Sequence, residues 1–258
     1  MFFELSSKGP TSKLVLSLRG FVTVLKMKPK KQKFLTQIIR SLKMNSLTTR
    51  LEKLYASAVY DTLRSIGHDN CVLPPGIAAL IPGQKLAGEI FTIDGHFEVG
   101  QDANKTLLEW STVLSKAPSG KVLICQPNTH EVALMGELSS EVLKRKGVLG
   151  YIVDGASRDV SFLLENEFPT FCRFNTPKDI VGRWVAKSMG EPIEIGGVRI
   201  VSGDYVLADI DGAVIIPRSL AEEAITATEV KASTETEMRS ALMDGMDPVD
   251  AYKKYGVF

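Results

Sequence analysis

A chain of 258 residues with 44% apolar and 24% charged side chains is long enough to bury a sizeable core in one domain or at most two, and its composition is that of a globular protein rather than a disordered one. The formal net charge of +1 hides an asymmetry: residues 1–50 hold eleven Lys and Arg against the single acid Glu4, which leaves 20 basic and 29 acidic residues beyond them. Cys71, Cys125 and Cys172 are odd in number and far apart, no Cys-x-x-Cys or His-x-x-x-His occurs, and no run of eighteen apolar residues is present; these features speak against a disulfide framework, a zinc site of soft ligands and a transmembrane helix.

In chain order, residues 1–45 read as a basic extension with little order. Residues 1–43 read first as an extension with no role of its own, then as an organelle-targeting segment beside a cytoplasmic location, a reading that few Arg and the cluster Lys28, Lys30, Lys31 and Lys33 weaken, and last as an arm for nucleic acid or a membrane surface. From residue 46 to the end the pattern is that of one folded domain. Leu47, Leu51, Leu54, Tyr55, Ala58, Val59, Leu63 and Ile66 recur at helical spacing and predict one amphipathic helix stopped by Gly67. Pro74-Pro75-Gly76 and Pro82-Gly83 mark a loop before a strand over 85–94 in which Gly88 packs closely. A helix over 104–116, a strand over 121–125, a helix over 137–146 and an apolar strand over 148–153, buried on both faces, follow. A short helix after Asp159 leads to a strand near 169–173. Strands at 192–195, 198–201, 205–208 and 213–216 then come before a long helix over 220–243, with Ser219 as its N-cap. Interleaved strands and helices early, and clustered strands late, favour a single layered α/β domain over 46–258.

Two places carry chemistry. Gly136 precedes a helix, so the backbone of Gly136, Glu137, Leu138 and Ser139 suits an anion. Asp154-Gly155-Ala156-Ser157-Arg158-Asp159 follows the buried strand, at the strand end where α/β sheets gather ligands. Arg158 offers a carboxylate two parallel hydrogen bonds, and Asp159 offers a divalent metal a hard oxygen. Asp154 reads as a turn residue, Trp110 and Trp184 as core. Lys144 and Lys146, in a charged helix end, look too solvated for a Schiff base.

The string Gly-Glu-x20-Arg-Asp, with Val153-Asp154-Gly155 upstream of Arg158, resembles the Asp-x20-Arg-Asp signature of the class II 4-hydroxy-4-methyl-2-oxoglutarate aldolases and of their relatives, the regulator of ribonuclease activity A (RraA-like) proteins. Tyr60-Asp61-Thr62-Leu63, the segment 82–88, Thr176-Pro177-Lys178-Asp179 and the segments 194–198 and 203–217 agree with it in the same order. The resemblance implies a β/β/α swivelling-type fold, a homotrimer or hexamer with sites at subunit interfaces, and a divalent cation, Mg or Mn. It implies cleavage of 4-hydroxy-2-oxo-dicarboxylates to pyruvate and a second oxo-acid through a metal-stabilised enolate, with oxaloacetate decarboxylase activity alongside. Carried over by position, Arg158 binds the substrate carboxylate, Asp159 the metal, and residues 136–139 the rest of the pyruvyl unit. A glutamate from a neighbouring subunit, Glu235 or secondarily Glu237, helps hold the metal's water. Glu137 stands where the signature has Asp, and Ser139-Ser140 where Leu-Ala is expected. The alternative is a non-catalytic regulator of a ribonuclease.

Overall fold

The structure, a computed structural model, describes residues 2–6, 13–18, 21–26 and 46–256. It divides into two units, Met1–Ser46 and Leu47–Phe258. Within the basic extension, expected to be poorly ordered, the described stretches are three strands, β1 (Phe2–Ser6), β2 (Lys13–Leu18) and β3 (Phe21–Lys26), in an antiparallel meander. Their β-branched and aromatic content suits a strand. The Lys28 to Lys33 cluster lies outside the described residues.

The second unit is a mixed α/β domain around an eight-stranded sheet. Its strands are β4 (Ala78–Ala79), β5 (Leu86–Phe97), β6 (Val122–Gln126), β8 (Gly150–Val153), β10 (Thr170–Cys172), β12 (Trp184–Met189), β15 (Tyr205–Asp209) and β16 (Gly212–Ile216), in the order β16-β15-β5-β6-β8-β10-β4 with β12 also on β5. β5, β6, β8 and β10 run parallel, and their side chains divide by alternation. Ile93, Leu123, Cys125, Tyr151 and Val153 face three helices, α3 (Ala103–Lys116), α4 (Glu137–Arg145) and α5 (Val160–Asn166), and meet Trp110, Val113, Leu143 and Leu163 there. Ile90, Val122, Ile124 and Ile152 face the other way, onto a hairpin of β13 (Ile193–Ile195) and β14 (Val198–Ile200). The outer face of β15 and β16 is covered by α1 (Leu47–Leu51), α2 (Ala56–Ser65) and the start of α6 (Ala221–Met243). The order from helix through sheet to hairpin and helix is the layered arrangement expected. Gly88 is as tightly placed as its sequence context suggests: a Cβ there would lie 2.7 Å from Leu149 Cδ1.

The single first helix expected over 46–66 is two. The chain turns at 52–55, with Tyr55 extended (φ −123°, ψ 153°) and the Leu54 carbonyl accepting from Lys85 Nζ. The Asp209 carboxylate accepts from the Ala56 amide at 2.7 Å and so caps the second helix from across the sheet. The apolar spacing is unaffected by the break, because Leu51, Leu54, Val59 and Leu63 still enter one core. Ser219 is not the N-cap of the long helix; Leu220 is, without a side-chain bond. A last helix, α7 (Pro248–Tyr255), is capped by Asp247, which accepts from the Val249 and Asp250 amides.

Three short strands decide where a ligand would sit. β7 (Ala133–Met135), β9 (Ala156–Ser157) and β11 (Phe174–Asn175) form a parallel sheet ordered β11-β9-β7. Each follows one member of the main sheet in sequence, β6, β8 and β10 respectively, and repeats its neighbour relations. Three carboxyl ends therefore open together.

Candidate active site

The chain leaves β7 at Gly136 and enters α4, leaves β9 at Arg158 and enters α5, and leaves β11 toward Asp179. All three segments line one cavity of about 430 Å³. Gly136, Glu137, Leu138, Ser139, Arg158 and Asp159, the residues singled out in sequence, are all in its wall.

Gly136 is the N-cap of α4 and its backbone is extended, so positive φ is not why glycine is needed. Space is: a Cβ on Gly136 would fall 2.5 Å from Asp159 Oδ2 and 3.2 Å from Arg158 Cγ. No side chain caps the helix. The amides of its first turn have no acceptor within the helix and carry its positive dipole end. One of them, Glu137 N–H, donates to Asp159 Oδ2 at 3.2 Å.

Asp159 occupies the N-cap of α5 with left-handed torsions (φ 53°, ψ 42°), a conformation that disfavours a non-glycine residue by roughly 1–3 kcal/mol. An N-cap aspartate in extended backbone would cap its own helix. Here the carboxylate makes no such bond and instead faces α4 and the Arg158 side chain, whose Nε donates to Oδ2 at 3.3 Å. The Arg158 amide donates to Met135 O at 2.8 Å, which ties the two strand ends together. Its guanidinium also approaches Asp179 Oδ2, at 3.6 Å from Nη1. Arg158 and Asp159 each leave about a third of the side chain exposed, Arg158 36% and Asp159 33%, so both are open to solvent.

Two lining residues were not foreseen in these roles. Asp179 belongs to the Thr-Pro-Lys-Asp segment, but nothing local marks it as a neighbour of Arg158, because the proximity comes from the parallel placement of β9 and β11. Trp110, expected in the core, is also cavity wall: its Nε1 donates to Ser139 Oγ at 2.9 Å, and its ring meets Trp184 edge-on with centroids 5.8 Å apart. Trp184 itself is fully buried, as expected. Asp154 does more than turn the chain. It is buried and accepts from Arg173 Nε and from Gln126 Nε2, the latter at 3.1 Å. Lys144 and Lys146 are outside the cavity lining and bind backbone carbonyls of Asn166 and Ser115.

Glu235 is not brought to Arg158 within the chain. It lies on α6 and accepts a hydrogen bond from the Tyr55 hydroxyl; that bond, with burial, pushes the phenol up to about 12. Glu237, on the same helix, lines a separate hollow beside α7. Among the described residues no group of three or more His, Cys, Asp or Glu side chains forms a metal cage. The donor set at the cavity still fits one kind of ion: a hard cation that takes a single protein carboxylate, Asp159, and leaves its other positions to water and substrate, which is the habit of magnesium. The described cysteines are all free and buried; burial pushes Cys71 up to about 11 and Cys125 up to about 12.

Residues 56–215 match the family model RraA-like, Aldolase/RraA. The chain belongs to this family. Among its curated relatives, "Protein DlpA" of Legionella pneumophila is 25% identical over 219 residues, 84% of this chain and 35% of that protein. A "Putative 4-hydroxy-4-methyl-2-oxoglutarate aldolase" of Halalkalibacterium halodurans is 31% identical over 53% of this chain and 64% of its own length. The matches thus cover about a third of the first relative and under two thirds of the second. Among solved structures, an uncharacterized protein of Pseudomonas syringae superposes with a TM-score of 0.73 at 26% identity, over 81% of this chain and 93% of that one. RraAS2 of Streptomyces coelicolor, described as an unusual member of the RNase ES inhibitor RraA protein family, gives 0.69 at 28% identity, over 76% and 98%.

Proposed function

We propose that this member of the Aldolase/RraA family is a divalent-metal-dependent lyase that cleaves 4-hydroxy-2-oxo-dicarboxylates of the 4-hydroxy-4-methyl-2-oxoglutarate type to pyruvate and a second oxo-acid, and that decarboxylates oxaloacetate at the same site. The observation that carries this reading is the single cavity joining Arg158, Asp159 and the first turn of α4. Arg158 holds the substrate carboxylate through its guanidinium. The α4 amides after Gly136 orient the pyruvyl oxygens. Asp159 holds the cation, Mg or Mn, which when bound supplies Lewis-acid stabilisation of negative charge at the 2-oxo group. Trp110, Leu134 and Ile180 exclude water from the far wall. Glu235 joins the site from a neighbouring copy in a homotrimer or hexamer. That assembly is supported by Leu138 and Val142, one turn apart on α4 and 72% and 40% exposed, an apolar pair for a neighbouring copy to cover. The chain acts in the cytoplasm without a membrane partner, and any nucleic-acid contact comes through the basic extension.

A specific neighbour favours a second reading. The Streptomyces protein belongs to a group of ribonuclease inhibitors, and a chain with that role binds a ribonuclease without needing the cation. The two readings separate in one experiment: pyruvate release from 4-hydroxy-4-methyl-2-oxoglutarate and from oxaloacetate, with and without EDTA, in wild type, Arg158→Ala and Asp159→Ala. The lyase reading expects release that EDTA removes and that each substitution lowers about 10³-fold. Release that survives both EDTA and Asp159→Ala overturns the metal mechanism. No release, with ribonuclease inhibition retained in Arg158→Ala, establishes the second reading instead.

A further inference from the structure

We infer that Asn175 and Thr176, at and just beyond the end of β11, bind the second carboxylate of a dicarboxylate substrate, and that Asn175 sets the preference for dicarboxylates. The inference rests on the reading of Arg158 and Asp159 as the grip on the 2-oxo acid head. Those two side chains are common to two hollows. One is the cavity of about 430 Å³ that runs back to Trp110. The other, of about 350 Å³, is lined by Arg158, Asp159, Val160, Asn175, Thr176 and Pro177.

The two differ in the chemistry of their walls. Beyond the Gly136 to Ser139 segment, the larger cavity ends on Leu107, Trp110, Leu114, Ile180 and Val181. A carboxylate there would lose water and gain no donor, since Trp110 Nε1 already donates to Ser139 Oγ. In the smaller hollow the side chains from β11 are donors. Asn175 is paired with Ser157 in the parallel register of β9 and β11, and its Oδ1 accepts from Ser157 Oγ at 2.7 Å. Ser157 is fully buried, so this bond holds the carbonyl branch inward and leaves the amide nitrogen as the end for a ligand. Among the described residues nothing accepts from that nitrogen; the other contact of Asn175, with Cys172 Sγ at 3.9 Å, is also at Oδ1. Thr176 Oγ1 accepts from the Lys178 amide at 3.4 Å, which leaves its hydroxyl hydrogen to donate.

Charge agrees with this placement. Among the described residues Asp159 is the one acid lining the smaller hollow, and in the lyase reading its charge is offset by the cation it holds. A substrate held by its head at Arg158 and Asp159 therefore turns its tail along β11 rather than back toward the indole. There two amide hydrogens and a hydroxyl replace the water that a carboxylate gives up, and hydrogen bonds to an ionised acceptor are the stronger kind. A terminal methyl in the same place would displace water from these donors and return no acceptor.

2-Oxoglutarate and 2-oxopentanoate, which differ in a terminal carboxylate against a methyl, test this by calorimetric titration of the full chain with magnesium present. The wild type should bind 2-oxoglutarate about tenfold tighter or more, the scale of a hydrogen bond to a charged group. Asn175→Asp keeps the size of the side chain and an oxygen for Ser157 to donate to, but turns a carboxylate toward the hollow. The ratio of the two affinities should then fall by about tenfold or more through like-charge repulsion. Thr176→Val, which removes one donor, should lower the same ratio about threefold. The ratio of kcat/KM for pyruvate release from 4-hydroxy-4-methyl-2-oxoglutarate and from 4-hydroxy-2-oxopentanoate should fall in parallel. If Asn175→Asp does not fold, Thr176→Val decides. A wild type that binds both acids equally, or a ratio that the folded variants leave in place, overturns the inference and leaves the lyase reading intact. If the wild type binds neither acid and releases no pyruvate, the lyase reading itself fails, and the inference with it.

Discussion

On the flank where α1, α2 and α6 cover β15 and β16, charged groups close onto partners of the same chain. Arg50 donates from Nε to Glu229 Oε1 at 3.0 Å and also pairs with Glu222 and Thr226, while Asp209 is consumed in capping α2. At the carboxyl ends of β7, β9 and β11 the opposite holds. Two carboxylates, Asp159 and Asp179, share one guanidinium, the backbone at Asp159 is strained, and an N-cap glycine leaves a helix start without a side-chain cap of its own. The first arrangement lowers the free energy of the fold. The second raises it and leaves an excess of carboxylates over guanidinium in the wall of a hollow.

Substitutions on the two sides should therefore separate activity from stability. After Arg158→Ala and Asp159→Ala, the largest effect is expected from Gly136→Ala, whose methyl would press on Asp159 and Arg158: pyruvate release should fall about 10²-fold, since displacements of about 1 Å at a reacting site have that effect. Its Tm should change far less than that of Leu63→Ala. In the latter, a fully buried side chain on the inner face of α2 is truncated, and a loss of about 2–5 kcal/mol in denaturant titrations should leave the specific activity of the folded fraction unchanged.

A smaller effect is expected at the clamp. A double-mutant cycle on Arg50→Ala and Glu229→Ala should return a coupling of about 0.5–1 kcal/mol, modest because Glu229 is partly exposed. The hydrogen bond from Arg50 holds the Glu229 carboxyl below its ordinary range. A group depressed in the folded state stabilises fully above its ordinary value and loses that contribution as pH falls through the lowered one. The coupling should thus be constant near neutrality and disappear only in acid, below the usual carboxylate range. A coupling that instead vanishes near pH 7 would show that another group carries it.

Much of the positioning was legible because it is local. Residues 148–153 are continuously apolar, and Gly150–Val153 within them form a strand buried on both faces; Gly136 before Glu137 marks the start of α4; Arg158-Asp159 after the buried strand falls in the cavity wall. What could not be read depends on groups distant in sequence. The break at 52–55 is made by Lys85 and Asp209, the proximity of Asp179 to Arg158 by parallel pairing, and the double role of Trp110 by Ser139 on another helix. β12 escaped notice because its half-buried pattern lacks clean alternation and gains its place only by pairing with the far half of β5.

The most direct test of the shared grip is calorimetric titration with oxalate, a compact mimic of the pyruvyl head. It should be run with and without magnesium, on the wild type and on Arg158→Ala and Asp159→Ala. Oxalate should bind the wild type only when magnesium is present, and each substitution should weaken binding by at least tenfold. Equal affinity in the absence of the cation, or in both variants, would mean that Arg158 and Asp159 do not hold the two ends of one chelate.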